Sequence, residues 1–274
     1  MQTNLKITFI GGGNMAAALI GGLAGKLTDG ANIHVVDINA DALARLAQQF
    51  GVATSQQIDG AVAASDVIVL AVKPQQMREV AAQLLPHLKA QLVLSIAAGI
   101  RGVDLSRWLG GHGAIVRTMP NTPALIGMGI TGMAALPGVS AEQRTAADAI
   151  MRAVGGTVWL EDESLIDPVT AVSGSGPAYV FYFIEAMQQA AQELGLTPEQ
   201  GTELAIATFT GAAQLAARSS EPVSVLRERV TSKGGTTYAA LTSMEAAGVK
   251  DSIVKALHAA SARGRELGEE FGKD

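Results

Sequence analysis

The apolar positions in the first part of the chain change period repeatedly. The short runs KITFI, NIHVV, DVIVLAV, QLVLSIA, AIVRTM, GITGMAAL and TVWLE are rich in β-formers, and several are apolar at nearly every position. Strands covered on both faces read this way. Between several of them, MAAALIGGLAGK, ADALARLAQQF, MREVAAQLLPHL and VDLSRWLG carry apolar residues at helical spacing. Strand and helix in alternation predict βαβ units and a doubly wound, mostly parallel sheet. Ser140 with Gln143 three positions on is a capping box and predicts a helix start there. After about Glu161 the strand pattern stops. Helices are predicted from Gly176 to Leu194, Val223 to Val230, Thr236 to Ala247 and Asp251 to Phe271. Another starts at Thr197, with Pro198 at its first position and Gln200 closing a second capping box. The expected class is α/β, with a sheet domain over residues 1–162 followed by an all-α domain over 163–274.

A length of 274 residues fits two domains of about 150 each. Hydrophobic residues make up 48% and charged residues 16%, which supplies a core and excludes a disordered chain. A net charge of −5 argues against a nucleic-acid partner. The chain has no cysteine, so disulfides, thiolate metal sites and a cysteine nucleophile are excluded. His34, His87, His112 and His258 are too scattered for a zinc set, and no metal is expected. MQTNLK runs straight into ITFIGGG without a targeting segment, and the apolar stretch AYVFYFIEAM is broken by Glu185. That stretch predicts a buried helix rather than a membrane span, and a soluble cytoplasmic protein is expected.

Chemistry enters at the glycines. Ile10-Gly11-Gly12-Gly13-Asn14-Met15-Ala16 follows the first strand and opens a helix, with Gly11, Gly13 and Ala16 in the three slots of a dinucleotide fingerprint. Glycine permits a tight turn and close approach to a pyrophosphate, and the helix N-terminus offers free N–H groups. A Rossmann-like domain follows from this placement. Asp37 ends the second strand, where an acid accepts from a ribose 2′-OH and repels a 2′-phosphate, so it tilts the cofactor toward NADH over NADPH; Asn39 is a polar neighbour.

Ligands of open parallel sheets gather at the carboxyl ends of strands. One such end is Ala71-Val72-Lys73-Pro74, where Pro74 forces Lys73 to be extended and ends the strand. It reads either as part of a cofactor cleft or as a plain strand-to-helix junction. Another is Ser95-Ile96-Ala97-Ala98-Gly99, where Ala97, Ala98 and Gly99 leave room for a flat ring. A third, Met119-Pro120-Asn121-Thr122-Pro123, sets the Asn121 amide in a stiff loop.

With AVSGSGPAYVFYFIEAM and VTSKGGTTYAAL further on, the motifs FIGGGNMA, AVKPQ, SIAAGI and RTMPNTPALIG span nearly the whole chain. In this order they resemble the pyrroline-5-carboxylate reductases. The resemblance implies reduction of the cyclic imine 1-pyrroline-5-carboxylate to L-proline by NADPH or NADH. It also implies a homodimer interlocked through the helical domain, with dimers often forming a ring of five. It places the substrate carboxylate at the second glycine turn, where Gly234, Gly235, Thr236 and Thr237 open a helix, and brings Glu163 near the substrate. Bare amides at such a turn suit a carboxylate, and an ordinary helix start is the alternative. Thr237 is the expected donor to the ring nitrogen, Ser175 either touches substrate or caps its helix, and Lys73 completes the expected catalytic set. From Asp162 to Gln189 there is no Lys, Arg or His, unlike a hydroxyacid dehydrogenase with a catalytic lysine on this helix. The aromatics Tyr179, Phe181, Tyr182 and Phe183 read as dimer or core packing. Reduction of another cyclic imine acid and a non-catalytic dinucleotide sensor are the competing readings.

Overall fold

The computed structural model describes residues 3–273. In chain order the sheet region runs β1 (Ile7–Ile10), α1 (Asn14–Leu23), β2 (Ile33–Val36), α2 (Ala40–Phe50), β3 (Ala53–Ser55), β4 (Val67–Leu70), α3 (Met77–Leu84) and β5 (Leu92–Ser95). It continues with α4 (Gly102–Trp108), β6 (Ile115–Met119), β7 (Gly129–Ala135), α5 (Ala141–Arg152) and β8 (Gly155–Trp159). The helical region holds α6 (Ile166–Val169), a π-helical turn at Thr170–Gly174, α7 (Gly176–Glu193), α8 (Pro198–Arg218), α9 (Val223–Arg229), α10 (Thr236–Ala246) and α11 (Val249–Phe271).

Eight strands form one sheet in the order β3-β2-β1-β4-β5-β6-β7-β8. All pairs are parallel except β6–β7. The link between those two is a short 3₁₀ segment, Thr122–Ile126, too brief for the crossover that a parallel neighbour needs. β3 is a strand that the apolar pattern does not predict. Its three residues, Ala-Thr-Ser, are mostly exposed at the sheet edge and are held in register by β2. His34 of β2 joins this pairing through a 2.9 Å hydrogen bond between Nε2 and Ser55 Oγ, and its pKa is lowered by burial, against an opposing pull from Asp59.

Successive residues of the central strands feed opposite cores. Ile7, Phe9, Val67, Val69, Leu92 and Leu94 pack with α1, α2 and α5. Ile10, Ile68, Leu70, Val93 and Ile115 pack with α3 and α4 on the other face. Period-2 geometry applied to continuously apolar runs gives this double burial. Both predicted capping boxes form, Ser140 with Gln143 and Thr197 with Gln200.

The chain divides into two compact units. One comprises residues up to Gly176 together with those from Ala259 onward; the other is Pro177–His258. The sheet unit therefore includes 163–176, which packs with the sheet. Within the second unit α7 has no buried residue. Phe181 and Tyr182 are 60% and 71% exposed, while Phe183 meets Phe209 with ring centroids 6.5 Å apart. Among the described residues no helix is long and apolar enough to cross a membrane.

Phe9 is fully buried at the centre of the larger core. Phe9→Ala should lower the unfolding free energy by about 3–5 kcal/mol, read by urea denaturation at fixed protein concentration.

Candidate functional site

The turn after β1 passes so close to β4 that no side chain fits. Gly11 has φ +104°, and a Cβ there would lie 2.6 Å from the Ala71 carbonyl oxygen. Its N–H donates to Val36 O at 2.7 Å, and Ala71 N–H donates to Ile10 O at 2.8 Å. Gly13 then opens α1 without a side-chain cap, and the space where its Cβ would stand is empty. The first N–H groups of this helix are thus left for an anion.

Asp37 braces this turn. Its Oδ2 accepts from Gly12 N at 2.6 Å and its Oδ1 from Asn39 N at 2.8 Å. Asn39 differs from a free polar neighbour. Its Oδ1 accepts from Asp41 N and Ala42 N and so caps α2, leaving the amide nitrogen as its open group.

Around the turn lies a cleft of about 940 Å³. It brings together Ile10, Gly11, Gly13, Asp37, Asn39, Ala71, Val72 and Lys73. Lys73 is extended (φ −63°, ψ 145°) and exposed, and Pro74 begins the 3₁₀ turn that leads into α3. The segment is thus both a strand-to-helix junction and a cleft wall. Ile38, Gln56, Gln57, Ile58, Gln76 and Gln83 also line it, and nothing in the sequence singles them out. They come from the β2–α2 loop, the segment after β3, the 3₁₀ turn before α3 and the last turn of α3, which meet only when the strands align. The Met15 side chain packs against the core beneath the turn, so its backbone is what faces the helix N-terminus.

The strip after β5 is less open than its small residues imply. Ala97 is buried, Ala98 half-buried, and Gly99, at φ +72°, lies under Leu267 and Phe271 of α11. Asn121 is likewise engaged inside the protein. Its Nδ2 donates to Ser173 O at 3.1 Å and its Oδ1 accepts from Ile130 N at 2.9 Å, so it clamps a loop where a free amide was expected.

Glu163 belongs to a buried ionic knot. Its Oε1 accepts from Gly102 N and, at 3.1 Å, from Arg117 Nη1, while Arg117 Nη2 lies 3.5 Å from Asp167 Oδ1. The Arg117 side chain is only 5% exposed. The signal in the sequence is a lone arginine inside the apolar strand IVRTM, with carboxylates following at Glu163 and Asp167. A buried guanidinium requires such partners.

Ser175 follows the π turn, where its N–H donates to Thr170 O at 2.8 Å. Gly174 packs against the Met119 side chain, with a Cβ there standing 2.5 Å from Met119 Cε. No hydrogen bond engages the Ser175 hydroxyl among the described residues. π turns of this kind recur at functional sites.

The TSKGGTT turn belongs to the second unit. Gly234 has φ +75°, and Gly235, extended, is the N-cap of α10 with no side-chain cap and no acid in the first turn. Thr236 and Thr237 are exposed. The helix start is therefore bare, as an anion site requires.

Comparison with known proteins decides the family. Residues 163–267 match the family description "Pyrroline-5-carboxylate reductase dimerisation", and residues 6–99 match "NADP oxidoreductase coenzyme F420-dependent". A pyrroline-5-carboxylate reductase of Pseudomonas aeruginosa is 47% identical, covering 98% of both chains. The chain belongs to the pyrroline-5-carboxylate reductase family. The structure of a Coxiella burnetii pyrroline-5-carboxylate reductase is similar with TM-score 0.90 and 41% identity, covering 97% of this chain and 99% of that one. A Plasmodium falciparum pyrroline carboxylate reductase with NADP bound has TM-score 0.88 and 29% identity, covering 98% of this chain and 100% of that one. Within this pyrroline-5-carboxylate reductase fold the Arg117 knot makes a clear energetic demand. Arg117→Ala leaves two carboxylates without their buried cation and should cost about 3–5 kcal/mol, seen as a lowered urea midpoint.

Proposed function

We propose that this chain reduces 1-pyrroline-5-carboxylate to L-proline by hydride transfer from NADH or NADPH, the last step of proline synthesis. The match to a pyrroline-5-carboxylate reductase over 98% of both chains carries the reading. The cleft and the bare start of α10 supply the means. The cleft fits a dinucleotide: the Gly11 backbone leaves no side chain in the way, the space over Gly13 is open, and the α1 amides are uncapped.

A reduced nicotinamide bound there supplies the hydride. The residues from Ile10 to Met15 hold the pyrophosphate through backbone N–H groups. Asp37 and Asn39 hold the ribose, and Ala71, Val72, Lys73 and Pro74 form the wall beyond it. Ala97, Ala98 and Gly99 back the nicotinamide, and Asn121 acts through the loop it clamps. Among the described residues the Lys73 ammonium is the one cation lining the cleft, and it balances negative charge there.

The substrate is a carboxylate carrying a C=N bond. Its protonated imine is already electrophilic, so orientation is the main demand on the protein. Backbone amides at Gly234, Gly235, Thr236 and Thr237 hold the carboxylate. The imine nitrogen first takes its proton by way of the Thr237 hydroxyl or a water it holds; the carbon of that iminium then gains the hydride, and the π electrons settle on nitrogen as the lone pair of the secondary amine. Ser175, with its hydroxyl unengaged, contacts the ring. Glu163 retains Oε2 for a donor on the substrate, since both its hydrogen bonds fall on Oε1.

The helical region from 163 onward pairs with a second copy in this reading. Exposed Phe181, Tyr182, Leu204 and Leu215 give it an apolar surface that a partner covers. Dimers further assemble into a ring of five, and the protein works in the cytoplasm.

Two measurements test the chemistry. Thr237→Ala should lower kcat/KM by roughly a hundredfold, the usual span for loss of a proton donor, while NADH affinity stays unchanged; unaltered turnover would remove Thr237 from the mechanism. Because the Asp37 carboxylate faces the place of a 2′-phosphate, kcat/KM with NADH should exceed that with NADPH by about tenfold, or ~1.4 kcal/mol. Asp37→Ser should narrow that ratio in initial-rate assays with both cofactors. A six-membered imine acid run alongside should be reduced more slowly.

A further inference from the structure

The C-terminal part of α11 packs beneath the strip that follows β5. A Cβ added to Gly99 would stand 3.0 Å from Leu267 Cβ and 3.3 Å from Phe271 Cδ2. Phe271 also joins the core that contains Ala97, Ile100 and Leu105. Two glycines one turn apart lie on the helix side of this packing. Gly264 and Gly268 are the buried residues of α11. A Cβ on Gly264 would meet Asp167 Cβ at 3.4 Å, and one on Gly268 would meet Arg101 Cγ at 3.4 Å.

The end of the helix is held as well as packed. Arg107 Nη2 donates to Gly272 O at 2.8 Å, and Gly272 lies against Arg101 and Asp104. Asp104, 3% exposed, pairs with both arginines. The hydrogen bond that Arg101 donates to Asp104 raises the pKa of the guanidinium, against an opposing effect of burial. Two cations at a helix C-terminus complement its partial negative charge. All of these contacts lie within one compact unit.

We infer that Leu267 and Phe271, locked in place by Arg101 and Arg107, are positioning residues that fix the Ala97–Gly99 strip for hydride transfer. This rests on the proposed function, in which the nicotinamide lies on that strip. The adenosine and pyrophosphate are anchored elsewhere, at the glycine turn and Asp37. Loosening α11 therefore disturbs the geometry of transfer and leaves cofactor affinity intact.

The test compares the full-length wild type with Phe271→Ala and Phe271→Leu. Three quantities are read: NADH dissociation constant by fluorescence, kcat for pyrroline-5-carboxylate, and amide hydrogen exchange of the apoprotein. In Phe271→Ala, kcat should fall by roughly tenfold or more, as expected for small misplacement of reacting groups. NADH affinity should stay within about twofold, a change under ~0.5 kcal/mol. Exchange should rise at 97–101 and not at 11–14, and Phe271→Leu should recover most of the activity. Unchanged exchange at 97–101, or kcat and NADH affinity falling together, would overturn the inference. Should Phe271→Ala not fold, Arg107→Gln, which removes the bond to Gly272 O and the pair with Asp104, is read by the same three quantities with the same decisions. A wild type that reduces no imine acid would end the proposed function, while the exchange result would still decide whether α11 holds the strip.

Discussion

The whole binding face depends on one close approach, that of the Gly11 backbone to the Ala71 carbonyl. A side chain at this point would push the turn away from β4, and the α1 amides would no longer converge on the cleft. Glycine at φ +104° is the residue that tolerates the required conformation. Asp37 completes the arrangement by tying the next residue, Gly12, to the end of β2. One short loop thereby fixes three neighbouring strands, β4, β1 and β2, which the register already aligns residue by residue. The cleft exists because the turn is too tight to hold anything but backbone.

A second constraint is electrostatic. Arg117 sits in a strand covered by other elements, at a depth where a lone cation would be costly. Glu163 and Asp167 offset that charge, and both lie in the segment that follows the sheet. The ion pairs therefore join the strand end of β6 to 163–167, and Glu163 further holds the start of α4 through Gly102. The stretch 163–176 belongs to the sheet unit for this reason, although its sequence reads as helical.

Much of this is legible without coordinates, and the exceptions have physical causes. The fingerprint glycines, Asp37, Lys73 and the capping boxes are local features, set by residues a few positions apart. β3 escapes notice because Ala53–Ser55 has neither length nor apolar character, and only pairing with β2 makes it a strand. The π turn at Thr170–Gly174 escapes because a one-residue widening of a helical turn leaves no periodic mark in five residues of TAVSG. Asn121, Glu163 and Gly99 are recognisable as special, yet their partners Ser173, Arg117 and Phe271 are far away in sequence. Pattern reading finds a residue with a task; it does not find whom the residue serves when the contact is long-range.

The Gly99–Phe271 contact has a bearing on how the protein is made. The sheet is encoded almost entirely in the first part of the chain, yet its face after β5 is closed by the final turn of the last helix. During synthesis that face stays uncovered until residues 267–271 have been made, with Ala97 and Ile100 lacking part of their packing. Loop closure over so long a separation is slow compared with local helix formation. The sheet is therefore sealed late, only once Leu267 and Phe271 have been made and the helix that carries them has folded back onto Gly99.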